Sequence, residues 1–202
     1  MRIIAGRYKG REILSPVGRE TTRPITGLVR KSLFGMLGED LTGQTVLDLY
    51  CGTGTLGLEA LSRGAEHCWF ADRDRSALHL LRRNLELLGA GDRGTIWPGD
   101  VVSRLAGWVG GLAGPVDVAF VDPPYADARR WDWALVGRAI LAPLAGRLAE
   151  DGVAVLRLPG DVEVPGELSG LTAGRLRRYG DMLLVLLIRQ KKDHGTIEVP
   201  VL

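Results

Sequence analysis

Between residues 45 and 156, short apolar runs alternate with amphipathic stretches, and this alternation limits the fold to one class. Thr45 to Tyr50, Cys68 to Ala71, Thr95 to Trp97, Val116 to Val121 and Val153 to Leu156 read as buried strands. The clearest intervening helix is Arg75 to Leu88, where Leu78, Leu81, Leu85 and Leu88 recur at i, i+3, i+7 and i+10 on one face. Strand–helix alternation predicts a parallel, doubly wound α/β sheet with helices covering both faces. Leu171 to Arg178 and Met182 to Arg189, joined by Tyr179-Gly180-Asp181, predict an antiparallel hairpin at the sheet edge and bring the strands to seven.

Ahead of this pattern, Ile3 to Ala5 and Glu12 to Leu14, joined through Gly6 and Gly10, predict a short hairpin. Pro16 to Pro24 reads as a linker, and Thr26 as the N-cap of a helix to Leu37 with Val29, Leu33, Met36 and Leu37 on one face. The expected organisation is an extension over residues 1–38, a catalytic unit over 39–189 and a tail over 190–202. Charge follows the same division. Residues 1–35 carry eight Arg or Lys against two Glu, net +6, in a chain whose total is only +2. A basic arm on a near-neutral body suits a phosphate-rich partner. The longest candidate span, Met182 to Ile188, is far short of the ~20 apolar residues that cross a bilayer. No signal-peptide core follows Met1. Cys51 and Cys68 sit in strand-like contexts without a C-x-x-C spacing, and no histidine has metal-ligand spacing. The expectation is a cytoplasmic monomer that uses no metal.

Gly52, Gly54 and Gly57 follow the first core strand in G-x-G-x-x-G spacing, which brings backbone close to a ligand at a strand-to-helix turn. A dinucleotide site has the same spacing. Asp48, four residues earlier, discriminates, because a carboxylate there repels a pyrophosphate and suits an ammonium or sulfonium cation. Asp72, Asp100 and Asp122 follow at intervals of 24, 28 and 22 residues, each about one strand–helix unit. All four therefore fall at the carboxyl edge of the sheet, where open α/β folds bind ligands. Asp72 is placed to accept from ribose hydroxyls and Asp100 from an adenine amino group. Together these describe S-adenosylmethionine, with S-adenosylhomocysteine as its product. Tyr50, Arg73 and Val101 adjoin these positions and complete the candidate cofactor set. Each Asp taken singly also suits a helix N-cap.

Asp122-Pro123-Pro124-Tyr125 ends the fourth strand. Two prolines stop strand pairing and fix the nearby carbonyls. Asp122 and a fixed carbonyl can accept both hydrogens of a planar NH₂ group while Tyr125 stacks on its face. The motif by itself names an amino group, in RNA or DNA.

With these residues in place, the sequence resembles the RsmD family of class I S-adenosylmethionine-dependent methyltransferases, from residue 2 to about 189. The resemblance rests on Arg2-Ile3-Ile4-Ala5-Gly6 with Gly10-Arg11, on Thr22-Arg23-Pro24-Ile25-Thr26, and on Leu33-Phe34-Gly35-Met36-Leu37. It continues through Leu47-Asp48-Leu49, Gly52-Thr53-Gly54 and Gly57 to Ala65, ending on the D-P-P-Y motif. It implies a Rossmann-like fold and methylation of a guanine N2 in 16S rRNA, alone or within the small ribosomal subunit. Asp122, Pro123, Pro124 and Tyr125 would then be catalytic, and Arg7, Lys9, Arg11, Arg23, Thr26 and Arg30 would meet RNA. The chain departs from the family at Gly27 and Lys31, where acids are usual, and at Asp72 and Arg157, where Glu is common. Three other readings compete: a DNA adenine-N6 or cytosine-N4 methyltransferase, a non-catalytic RNA-binding assembly factor, and a nicotinamide dehydrogenase.

Overall fold

The computed structural model describes residues 1–16 and 25–190. The linker from 17 to 24, with Arg23, and the tail from 191 onward lie outside the described residues.

Seven strands form one sheet in the order β3-β2-β1-β4-β5-β7-β6. They are β1 Thr45–Leu49, β2 His67–Asp72, β3 Gly94–Pro98, β4 Val116–Val121, β5 Leu148–Pro159, β6 Leu171–Tyr179 and β7 Met182–Arg189. The first five are parallel, and β7 runs antiparallel to both β5 and β6. The expected fold and edge hairpin are therefore both present. β5 is much longer than the Val153 to Leu156 run: it begins at Leu148, paired with Val116 of β4, and pairing with β7 carries it on to Pro159. Arg175, Arg177 and Arg178 line the free edge strand β6, and such charges discourage pairing with another sheet.

Alternating residues feed two cores. On one face, Val46, Phe70, Phe120 and Leu184 pack under α1 (Gly27–Leu37), α2 (Thr55–Ser62) and α3 (Arg75–Leu88). On the other, Leu47, Ala119, Val121 and Leu156 pack under α4 (Val101–Gly110) and the helical segment from Trp133 to Ala145. The leucine stripe of α3 is buried as its period predicts. Thr26 caps α1, its hydroxyl accepting from the Val29 N–H at 3.3 Å.

The amino-terminal hairpin reduces to one bridge, Arg2 with Glu12, flanked by turn hydrogen bonds. It is held from below rather than by its own ladder. The Glu59 carboxylate accepts the N–H groups of Ile4 (2.9 Å) and Ala5 (3.0 Å) and an Arg63 Nε–H (3.1 Å). Asn84 brackets Leu14, accepting its N–H at 2.7 Å and donating to its carbonyl at 3.1 Å. Gly6 has φ +77°, and a Cβ there would lie 1.9 Å from the Ser62 carbonyl oxygen, so only glycine passes. Ile3, Tyr8 and Ile13 join the α1–α3 core, which packs the arm into the same cluster as the sheet.

Candidate active site

The strand order changes direction between β1 and β4, the position at which open α/β sheets bind ligands. Register brings the four carboxylates to this edge. Asp48 pairs with Phe120 and Leu49 with Val121, so Asp122 follows directly beside the β1 turn, its N–H donating to the Leu49 carbonyl. Asp72 pairs with Pro98, one strand further out, and the Gly99 N–H donates to its carbonyl.

The carboxylates do different work. Asp48, 1% exposed, points beneath α2 and accepts the Gly57 N–H at 2.8 Å. Burial raises its pKa to about 8, opposed by that hydrogen bond and reinforced by Asp122 and Asp72. Asp72 reaches across the turn, accepting from Gly52 (2.7 Å) and Asp74 (2.8 Å). Asp100 caps α4 by accepting from Ser103 at 3.0 Å, which leaves Val101 as the first helical residue with no intrahelical partner for its N–H. Tyr50 holds a left-handed φ of +60°, and burial followed by the Asp100 charge raises its phenol pKa. Arg73 is paired with Asp127 at 3.1 Å.

The three glycines also separate. A Cβ on Gly52 (φ +55°) would meet nothing within 4 Å, so this position faces open space. Gly54 and Gly57 face inward: a Cβ would lie 2.4 Å from Leu81 and 2.3 Å from Phe70, respectively. Their role is the turn and close helix–strand packing. An open glycine flanked by Asp72 and by Asp100 with the Val101 N–H fits a ribose and an adenine, and Asp48 beneath fits a cation.

At the end of β4, Asp122 does not stand alone. Arg157 follows Leu156, the partner of Val121, and so lies on the adjacent strand level with Asp122. Its Nε donates to Asp122 Oδ1 at 2.5 Å, with the two side chains 6% and 15% exposed. Burial raises the Asp122 pKa and the guanidinium pulls it down. The Arg157 Cζ also lies 5.3 Å from the centre of the Tyr125 ring. Composition within the strand was the available signal, since an arginine in Val-Leu-Arg-Leu must find an anion if it is buried.

The tip of the basic arm lies away from the carboxyl edge, with Arg7, Lys9 and Arg11 exposed. Arg7 donates its N–H to the carbonyl of Ser62, the last residue of α2, and Arg11 reaches the carbonyl of Leu87 near the end of α3. Both helices start at the carboxyl edge and run back, so the arm's tip, with Arg7, Lys9 and Arg11, lies at the opposite edge. The length of α2 alone separates it from the glycine turn by about 12 Å. Arg30, unlike these three, is buried away from any phosphate: it is 3% exposed and donates to the Arg2 carbonyl at 2.8 Å. Burial lowers its pKa. Thr26 stays exposed while its hydroxyl caps α1.

The strand order, the glycine turn and the acidic carboxyl edge define a class I, S-adenosylmethionine-dependent methyltransferase. Residues 1–188 match the family described as "Conserved hypothetical protein 95". The chain belongs to this family, the RsmD family. It is 36% identical over 180 residues to the "Putative rRNA methyltransferase YlbH" of Bacillus subtilis, covering 89% of this chain and 94% of that protein. It is 35% identical over 125 residues to "Ribosomal RNA small subunit methyltransferase D" of Escherichia coli K12, spanning 62% of this chain and 60% of the relative. Among solved structures, "Putative methyltransferase yhhF from Escherichia coli" superposes with a TM-score of 0.76 at 28% identity, covering 94% of this chain and 98% of that one.

Proposed function

We propose that this protein transfers a methyl group from S-adenosylmethionine to the exocyclic N2 of a guanine in the rRNA of the small ribosomal subunit. The observation that carries the reading is the placement of Asp122 directly beside the β1 glycine turn, so that an amino-group acceptor adjoins a cradle fit for the methyl donor. The small-subunit target is supported by the name of the Escherichia coli relative, and guanine by the family resemblance.

S-adenosylmethionine supplies an electrophilic methyl group. Gly52 leaves it room, Asp72 and Asp100 accept from its ribose and adenine, and Asp48 balances its cationic end. The guanine amino nitrogen is a poor nucleophile because its lone pair is delocalised into the ring. Asp122 Oδ2 and the Pro123 carbonyl would accept its two hydrogens and draw the lone pair out of the ring plane. Tyr125, held against Arg157, would stack on the extruded base, which on single-stranded precedent contributes about 1–3 kcal/mol. The chemistry rests on positioning, and well-oriented reactants can supply roughly 7–11 kcal/mol of the barrier.

The test is methyl transfer from labelled cofactor to naked small-subunit rRNA, to assembled small subunits and to DNA, followed by nucleoside analysis. N2-methylguanine in the rRNA is expected. In Asp122→Ala, loss of a hydrogen bond to a charged group should slow transfer by roughly 10- to 150-fold, with cofactor affinity retained. Methylated adenine in DNA, or full activity of the variant, would overturn the assignment.

A further inference from the structure

Arg157 has entered the chemistry so far only as a support for Tyr125, yet it is buried against the residue on which that chemistry turns. Parallel pairing of β4 with β5 sets its side chain on the same face as Asp122, at neighbouring strand spacing. One end result is a short charge-assisted hydrogen bond to Oδ1, and the other is a guanidinium lying over Tyr125. Both side chains are almost wholly withdrawn from water.

We propose that Arg157 is a positioning residue for methyl transfer: it fixes Asp122 as an ionised acceptor with one oxygen engaged and the other presented to the substrate amino group. The inference rests on the reading of Asp122 given above. Arginine stays protonated at any working pH. Were Asp122 to take the substrate's proton, its buried ion pair with Arg157 would be lost, which is strongly unfavourable. Asp122 therefore orients the nitrogen and does not remove its proton. The nitrogen lone pair forms the new bond to carbon, the carbon–sulfur pair stays on sulfur, and the surplus proton on nitrogen passes to water.

Burial alone would push the Asp122 carboxyl upward, and Arg157 is the group that opposes this. The other charged or titratable groups at this corner are Asp48 from β1, Tyr125, and Arg129 just after α5 (Tyr125–Ala128), which lies over the Tyr125 ring and pairs with Asp161. Asp181 sits in the β6–β7 turn at the same edge, its carbonyl accepting from Gly160. Among these, Arg157 is the cation bonded to Asp122.

The experiment is single-turnover methyl transfer at saturating cofactor and small-subunit substrate, from about pH 5.5 to 9. Wild type, Arg157→Met, Arg157→Lys, Asp122→Asn and the Asp122→Asn/Arg157→Met double variant are compared. Cofactor affinity and thermal unfolding report whether each is folded. Arg157→Met should be slowest at the acid end of this range, and its rate should climb with pH as the unpaired carboxyl ionises. Arg157→Lys should restore a flat profile. On the Asp122→Asn background, Arg157→Met should add no pH dependence, since an amide does not titrate. If the Met variant does not fold, Arg157→Gln, which keeps a donor without the charge, is read in the same way. A uniform drop in rate with an unchanged pH profile, or unaltered activity, would overturn the role of Arg157. Full activity in Asp122→Asn would instead overturn the reading of Asp122 itself.

Discussion

Cofactor affinity should depend on pH through Asp48, because the free protein holds that carboxyl neutral and the bound cation requires it charged. Its pKa of about 8 in the free protein, set mainly by burial, means that it is largely protonated near neutrality. Binding a cation beside it then includes the cost of ionising it, 1.36 kcal/mol for each pH unit below that value. Affinity should be about 100-fold weaker near pH 6 than at its alkaline plateau, about tenfold weaker near pH 7 and about twofold weaker near pH 8. Titration calorimetry across this range measures the slope. Repeating it at about pH 7 in buffers of different ionisation enthalpy should show release of nearly one proton per cofactor bound. Asp48→Asn keeps an oxygen for the Gly57 N–H but cannot ionise, so its affinity should be weak and flat with pH. The same group affects folding stability. Its folded pKa is raised above the unfolded value of 3.8, so its contribution is intact below about pH 4 and is lost as pH rises toward 8. Asp48→Asn should thus unfold like wild type in acid and at a higher temperature near pH 8. An affinity independent of pH from 6 to 8, or a slope that survives in Asp48→Asn, would refute the argument.

Three further substitutions, one of them a control, test the packing that shapes the site. Gly57→Ala puts a Cβ 2.3 Å from Phe70 and 2.6 Å from the Cys68 sulfur, both buried, and should cost about 1–3 kcal/mol in urea unfolding. Gly35→Ala, in α1 with nothing within 4 Å, is the control and should stabilise by about 0.5–1 kcal/mol. Glu59→Gln leaves the buried Arg63 without its anion and loosens the arm, so it should cost about 3–5 kcal/mol, read by urea unfolding and by faster proteolysis within residues 1–16.

Most of the site was legible because its rules are local. A strand that ends in Asp, a glycine turn and a leucine stripe each follow from short-range periodicity and backbone preference. In a parallel sheet every such Asp must emerge at the same edge. Asp48, Asp72, Asp100 and Asp122 therefore assemble as their spacing implies, and the helix cap at Thr26 forms where its hydroxyl predicts. The sequence does not say which glycine faces the ligand, because that depends on what packs behind the turn. Leu81 and Phe70 fill the space behind Gly54 and Gly57, and only Gly52 is left open.

The amino-terminal block was legible as a motif but not as a position. Its arginines and lysine look like one basic arm along the chain. Whether a charged side chain meets a phosphate or a carbonyl depends on the path of the backbone, and Glu59, Ser62 and Asn84 lead that path down α2 and α3, away from the carboxyl edge. Chain order alone thus establishes a doubly wound sheet whose carboxyl edge carries four acids and a D-P-P-Y motif. Tertiary structure alone buries Arg30, carries Arg7 and Lys9 to the far edge and sets Arg157 on Asp122. The reason is physical: strand ends and caps are governed by neighbours a few residues away, whereas the partner of a buried charge is decided by strand register across 35 residues of chain.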